Sequence, residues 1–203
     1  MSDTKERNMP QGNALTPFFI FGSPRSGTSL LSRMVDSHEQ LVVPNESLIF
    51  KMFSSFIDCY GDLSQLENQS VLLQDILATR VIRYWQPKPD FETVLGLIKR
   101  PGFAGVIEAL ICSTATGKDL KAWGEKSPGH VFYWNEIKRE FPEAKVIHIV
   151  RDGRDVASSI INARMGPKTY CAAAQMWRDY LAQIETIKPV SYTHLRAHET
   201  DSY

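Results

Sequence analysis

The sequence has no charge excess, few cysteines and no long apolar run, and each absence excludes something. Its 23 lysines and arginines are balanced by 23 aspartates and glutamates. Nothing global therefore points to nucleic acid or an acidic membrane surface, and any anion site has to be local. The three cysteines, Cys59, Cys112 and Cys171, stand far apart with no C-x-x-C pair. That spacing makes no metal-ligand set and reads as ordinary thiols in a reducing compartment. No stretch approaches the roughly 20 apolar residues that span a membrane. Residues 1–16 are polar, without the apolar segment of a signal peptide. They read as a disordered leader, and the protein as cytoplasmic. A chain of 203 residues with 43% apolar content suits one soluble domain with a real core.

The richest stretch runs from Phe18 to Leu31. Phe18, Phe19, Ile20 and Phe21 form an unbroken apolar run, as expected of a strand buried on both faces. Gly22, Ser23, Pro24, Arg25, Ser26 and Gly27 allow a tight loop. Leu30, Leu31, Met34 and Val35 then recur with the spacing of one helix face. Strand, small-residue loop and helix together make a phosphate-binding layout, in which loop and helix N–H groups surround an anion. Gly22 to Ser29 fits the frame G-x-x-x-x-G-K-[ST], except that Thr28 stands at the lysine position and the cation has moved to Arg25. A nucleoside triphosphatase without that lysine loses its hold on the β- and γ-phosphates.

The string Pro24-Arg25-Ser26-Gly27-Thr28-Ser29 resembles the 5′-phosphosulfate loop of the sulfotransferases that use 3′-phosphoadenylyl sulfate (PAPS). Three later stretches fit the same resemblance. Leu41, Val42 and Val43 read as a short strand closed by Pro44 and Asn45, after which Glu46 stands where the tyrosylprotein and bacterial glutamate-type enzymes place a general base. The local alternative is that Asn45 caps the next helix and Glu46 complements its dipole. Glu125-Lys126-Ser127-Pro128 resembles the family's lysine-bearing turn, which implies that Lys126 approaches the bridging oxygen of the donor. Residues 144–150 read as a second core strand, with His148 a core residue. The strand ends in Arg151, and Arg151 with Ser159 eight positions on resembles the site for the donor's 3′-phosphate, a task suited to a planar guanidinium. Arg154, Asp152 and Asp155 read as a surface ion-pair cluster.

The resemblance implies a P-loop-type three-layer α/β/α fold with a mainly parallel central sheet and a helical insertion. Between Ile49 and Ala115 the pattern predicts helices broken at Gly61-Asp62, at Gln86 to Pro89 and at Arg100 to Gly102. There Leu72, Ile76, Leu77 and Arg80 to Trp85 read as one amphipathic segment. Phe50, Phe53, Phe56, Tyr60, Tyr84 and Trp85 are candidates either for an acceptor pocket or for core. The implied catalytic residues are Glu46, Arg25 and Lys126. Arg25, Ser26, Gly27, Thr28, Ser29, Arg151 and Ser159 would bind the nucleotide. PAPS is the implied co-substrate, PAP (3′-phosphoadenosine 5′-phosphate) the product, and no metal is required. The acceptor is a hydroxyl on a peptide tyrosine, a carbohydrate, a lipid or a small molecule, with no nucleic-acid partner. Two other readings stand beside this one: a degenerate P-loop kinase or NTPase, and a non-catalytic nucleotide-binding protein.

Helical periodicity from Ala173 through Ile187 stops at Pro189. The string from Val190 to Thr200 resembles a translated sequencing adapter. Residues 17–188 are therefore expected to be a sulfotransferase domain incomplete at its C-terminus, and residues 189–203 a non-native tail. The spacing of His194 and His198 would suit metal ligation on a helix, but its place in that string counts against it.

Overall fold

The computed structural model describes residues 15–187 and 192–196. Strand β1 (Thr16–Phe21) leads through the glycine-rich loop to helix α1 (Thr28–Asp36) and strand β2 (Leu41–Val42). A helical insertion follows: α2 (Ile49–Phe53), α3 (Leu66–Ala78), α4 (Arg80–Arg83), α5 (Phe91–Leu97) and α6 (Gly102–Cys112). Strand β3 (Ala122–Glu125), helix α7 (Trp134–Glu140) and strand β4 (Lys145–Val150) come next, then α8 (Gly153–Ile161), α9 (Tyr170–Glu185) and β5 (Tyr192–Arg196). All the strand pairs are parallel, in the order β2-β3-β1-β4-β5. Parallel neighbours need crossovers, and the intervening helices supply them.

β1 lies at the centre of the sheet, and its alternation sets the layers. Phe19 and Phe21 face the large core with Phe50, Ile107, Trp123 and Phe141. Phe18 and Ile20 face the opposite side, where Val43, Leu31, Val35 and Ile147 pack on them. Both faces are covered, which is why residues 18–21 are apolar without interruption. The chain is thus an α/β domain with helices about a parallel sheet.

Three local expectations change. On α1, Leu31 and Val35 pack on the sheet, but Leu30 and Met34 are 67% and 62% exposed, and the buried residues are Thr28 and Ser32. The sheet takes one of two adjacent apolar stripes. Asn45 does not cap α2: the helix begins at Ile49, after Leu48 in a left-handed conformation, so Glu46 lies outside its first turn. The segment from Leu72 to Trp85 is also two helices. Thr79 is extended and caps α4 with its side chain, accepting from the Ile82 N–H.

Residues 1–14, 188–191 and 197–203 lie outside the described residues, including most of the leader and much of the adapter-like string. Thr16 already belongs to β1. Tyr192–Arg196 pairs with β4, so His194 stands in a strand and not on a helix. Among the described residues no helix is long and apolar enough to cross a membrane.

Gly22 closes β1 against the end of β4. A Cβ there would sit 2.7 Å from the Ile149 carbonyl oxygen and 2.9 Å from Thr28 Cγ2. Gly22→Ala is expected to cost about 1–3 kcal/mol, as overpacking does, read as a lower urea midpoint. An unchanged midpoint would show that the loop has room to retreat.

Candidate active site

The loop after β1 is shaped to leave donors unused. Ser26 N–H donates to the Ser23 carbonyl at 3.1 Å, and the chain passes through Arg25 at φ 70° and Gly27 at φ 92°. Glycine adopts that conformation freely, whereas for arginine it costs on the order of 1 kcal/mol or more. No side chain caps α1, so the N–H groups of its first turn stay available. Ser26 is 1% exposed, and its Oγ has no hydrogen-bond partner among the described residues. A buried orphan hydroxyl beside an uncapped helix start and an arginine fits a phosphate or sulfonate oxygen. Thr28, buried, opens the helix and Ser29 follows it.

The sequence places Arg151 and Ser159 at 126 and 134 positions after Arg25, and the sheet brings them back. β4 pairs directly with β1, so Arg151 emerges beside the loop. Arg25 Nε donates to Ser159 Oγ of α8 at 3.0 Å, and Arg151 Nη1 donates to the Arg25 carbonyl at 3.2 Å. Arg154 stays on the surface, its guanidinium 2.7 Å from Asp152. His148 is buried in β4.

Glu46 and Lys126 also meet. Lys126 Nζ donates to Glu46 Oε1 at 2.7 Å and to Ser29 Oγ at 3.1 Å. The Lys126 side chain is 5% exposed and that of Glu46 40%. The ammonium thus sits between the helix start of the anion loop and the carboxylate. Indole Nε1 of Trp85 donates to the Glu46 carbonyl at 3.0 Å, fixing the backbone that carries the acid. A cleft of about 360 Å³ opens over the pair, walled by Val81, Tyr84 and Trp85. Of the six aromatic candidates, Tyr84 and Trp85 line this cleft, and Trp85, almost wholly buried, is also core with Phe50 and Phe53. Tyr180 of α9 packs edge-on against Phe132 with ring centroids 4.9 Å apart. Burial, and then the negative charge of Glu46, push its phenol pKa up.

Sequence reasoning missed the layer behind this pair. Glu125 is fully buried, and its carboxylate accepts from Ser47 Oγ at 2.7 Å and Ser127 Oγ at 2.6 Å. His130 Nδ1 lies 2.8 Å from its other oxygen, and an ionised carboxylate can only accept, so Nδ1 carries the proton. Ser127 Oγ in turn accepts from the N–H groups of Ser47 and Leu48, both at 3.1 Å. The residues after Glu46 are therefore bonded to the end of β3. Burial opposes the charge on Glu125, but the His130 charge and the three side-chain hydrogen bonds outweigh it and pull its pKa down to about 2. Alternation explains the division of labour: Glu125 and Ser127 point to the buried side, and Lys126 between them points to the cleft. The sequence signal was this polar triplet at a strand end followed by a histidine.

Fold and site together define a P-loop-type α/β domain whose glycine-rich loop, with unused donors, lies beside a Glu–Lys cleft. Among the described residues no cluster of His, Cys, Asp or Glu could hold a metal ion. The sequence profile described as the Sulfotransferase family matches residues 17–199, and the chain belongs to that family. Among solved structures it is similar to the sulfotransferase domain of the Synechococcus PCC 7002 olefin synthase, at 23% identity and TM-score 0.59, covering 95% of this chain and 70% of that one. The sulfotransferase domain from the curacin biosynthetic pathway matches at 20% identity and TM-score 0.58, over 91% of this chain and 68% of that one. A sulfotransferase from Alicyclobacillus acidocaldarius matches at 15% identity and TM-score 0.51, over 91% and 74%. At these identities the likeness is one of fold. A search of curated proteins finds no match.

Proposed function

We propose that this chain is a cytoplasmic enzyme that transfers a sulfuryl group from PAPS to an acceptor hydroxyl, with Glu46 as general base. The observation that carries the reading is the position of Lys126 Nζ, within hydrogen-bond reach of both Ser29 on the anion loop and the Glu46 carboxylate. PAPS would supply the sulfuryl group: the acceptor oxygen bonds to sulfur, the bond to the bridging phosphate oxygen breaks, and PAP leaves. Glu46 takes the hydroxyl proton as attack develops. Arg25, Lys126 and the loop N–H groups stabilise charge on the sulfonate and the departing oxygen. Gly27, Thr28 and the Ser26 hydroxyl complete the 5′ cradle, and Arg151 with Ser159 takes the 3′-phosphate. A sulfuryl group carries less charge than a phosphoryl group, so these cations suffice without a metal.

The test is thermal unfolding of the protein with PAP, against ADP and ATP with and without magnesium. A ligand that binds the folded state alone stabilises it by about 2.7 kcal/mol at a concentration of 100 times its Kd. PAP is expected to raise the midpoint regardless of magnesium. Arg151→Ala is expected to weaken PAP ~10–100-fold, the scale of a hydrogen-bonded charge. Stabilisation by magnesium-ATP and indifference to PAP would replace this reading with the kinase one.

A further inference from the structure

We propose that the acceptor of this site is an uncharged hydroxyl compound with a compact apolar body, and that the cleft itself rejects anionic acceptors. The inference rests on the sulfuryl-transfer reading above.

The walls of the cleft are Val81, the exposed ring of Tyr84 and the edge of the buried Trp85, none of them charged. The charged residues lining it, among the described residues, are Glu46 and Lys126, paired at 2.7 Å. Lys126 is shared with Ser29, on the donor side. Once it compensates the donor's charge, the Glu46 carboxylate is the group left facing the acceptor. A second anion held a few ångströms from that carboxylate meets repulsion, with no cation other than Lys126 in the lining. Burial chiefly, and the Glu46 charge after it, oppose loss of the phenolic proton of the neighbouring Tyr180. Arg80 lies over the Tyr84 ring with its guanidinium carbon 5.9 Å from the centroid. It is exposed to solvent beyond that aromatic wall, where its charge is screened. Asn45 is the remaining polar residue of the lining, a neutral partner for a second hydroxyl or a carbonyl on the acceptor. A volume of about 360 Å³ suits a ring or a short branched chain at the acceptor end. Acidic glycans and tyrosines flanked by acidic residues are the acceptors this excludes.

The experiment compares two near-isosteric probes, neutral para-hydroxyphenylacetamide and anionic para-hydroxyphenylacetate, binding to the PAP-loaded protein by calorimetry. The neutral phenol is expected to bind ~10-fold or more tightly than the anion, the scale of one uncompensated like-charge contact. Val81→Lys, which adds a cation to the wall, should shrink or reverse that ratio. Equal or tighter binding of the anion by the unmodified protein overturns the inference, as does binding of neither probe while PAP binds. The PAP titration is read separately, and failure of PAP to bind removes the donor reading itself.

Discussion

Replacing Glu46 by glutamine is expected to lower turnover by ~10²-fold or more, the scale of general-base catalysis, while PAP binding persists. Glutamine keeps the length of the side chain and an oxygen that still accepts from Lys126 Nζ, now 2.7 Å from the carboxylate. The backbone is held independently, by Trp85 on the Glu46 carbonyl and by Ser127 on the following N–H groups. What the substitution removes is the capacity to take a proton. Steady-state turnover with a saturating acceptor, set beside the PAP thermal shift of the same variant, separates chemistry from binding. Unchanged turnover would remove Glu46 from the mechanism. A parallel loss of PAP binding would instead assign it to the donor site.

The second large effect concerns stability. Glu125 has its pKa lowered from 4.5 to about 2 in the folded protein. A depressed carboxylate contributes stability that is fully present above its unfolded pKa and is lost as pH falls through the folded one. The contribution is about 3 kcal/mol at neutral pH, and it drains away between about pH 5 and pH 2. Glu125→Gln is expected to lower stability by about that amount at pH 7, because it leaves the buried His130 without its charged partner. The gap between the two proteins should close towards pH 2. Urea unfolding of both at pH 7, 5 and 3 checks this, and effects of other carboxylates common to both proteins cancel in the difference. Curves that stay parallel across that range would show that Glu125 is not the group responsible.

Much of this architecture is legible in one dimension because local chemistry decides it. The apolar runs of β1 and β4 have one stable fate, burial in a parallel sheet, and the glycine-rich loop between β1 and α1 has few alternatives. Other features depend on choices the local sequence leaves open. Two apolar stripes adjoin on α1, and which one meets the sheet is set by the crossover, so Leu30 and Met34 end in solvent. Asn45 offers a cap, but Leu48 turns the chain and starts the helix later. The buried cluster was the hardest to foresee. Glu125 finds His130 5 positions on but Ser47 78 positions back. A glutamate beside a lysine reads as a solvated surface group until the sheet places β3 next to the turn that follows β2. Arg25 and Ser159, 134 positions apart, became neighbours through a strand pairing that the sequence implied without specifying its register.

The alternation at the end of β3 has an engineering consequence. A side chain there is assigned to the cleft or to the interior by its parity along the strand, and a shift of one position exchanges every assignment. Loss of a single residue between Ala122 and Glu125 would bring the lysine to the buried position now held by Glu125, beside His130, and the carboxylate to the position of Gly124, where a Cβ would already lie 2.3 Å from the Phe18 ring. A satisfied ion pair would become a buried lysine without a carboxylate, and a close-packed glycine would become a clash. Neither the length of this segment nor its buried residues Trp123, Gly124 and Glu125 can vary freely. Libraries built on this scaffold should therefore place insertions and deletions elsewhere, in exposed connections such as the one between α8 and α9.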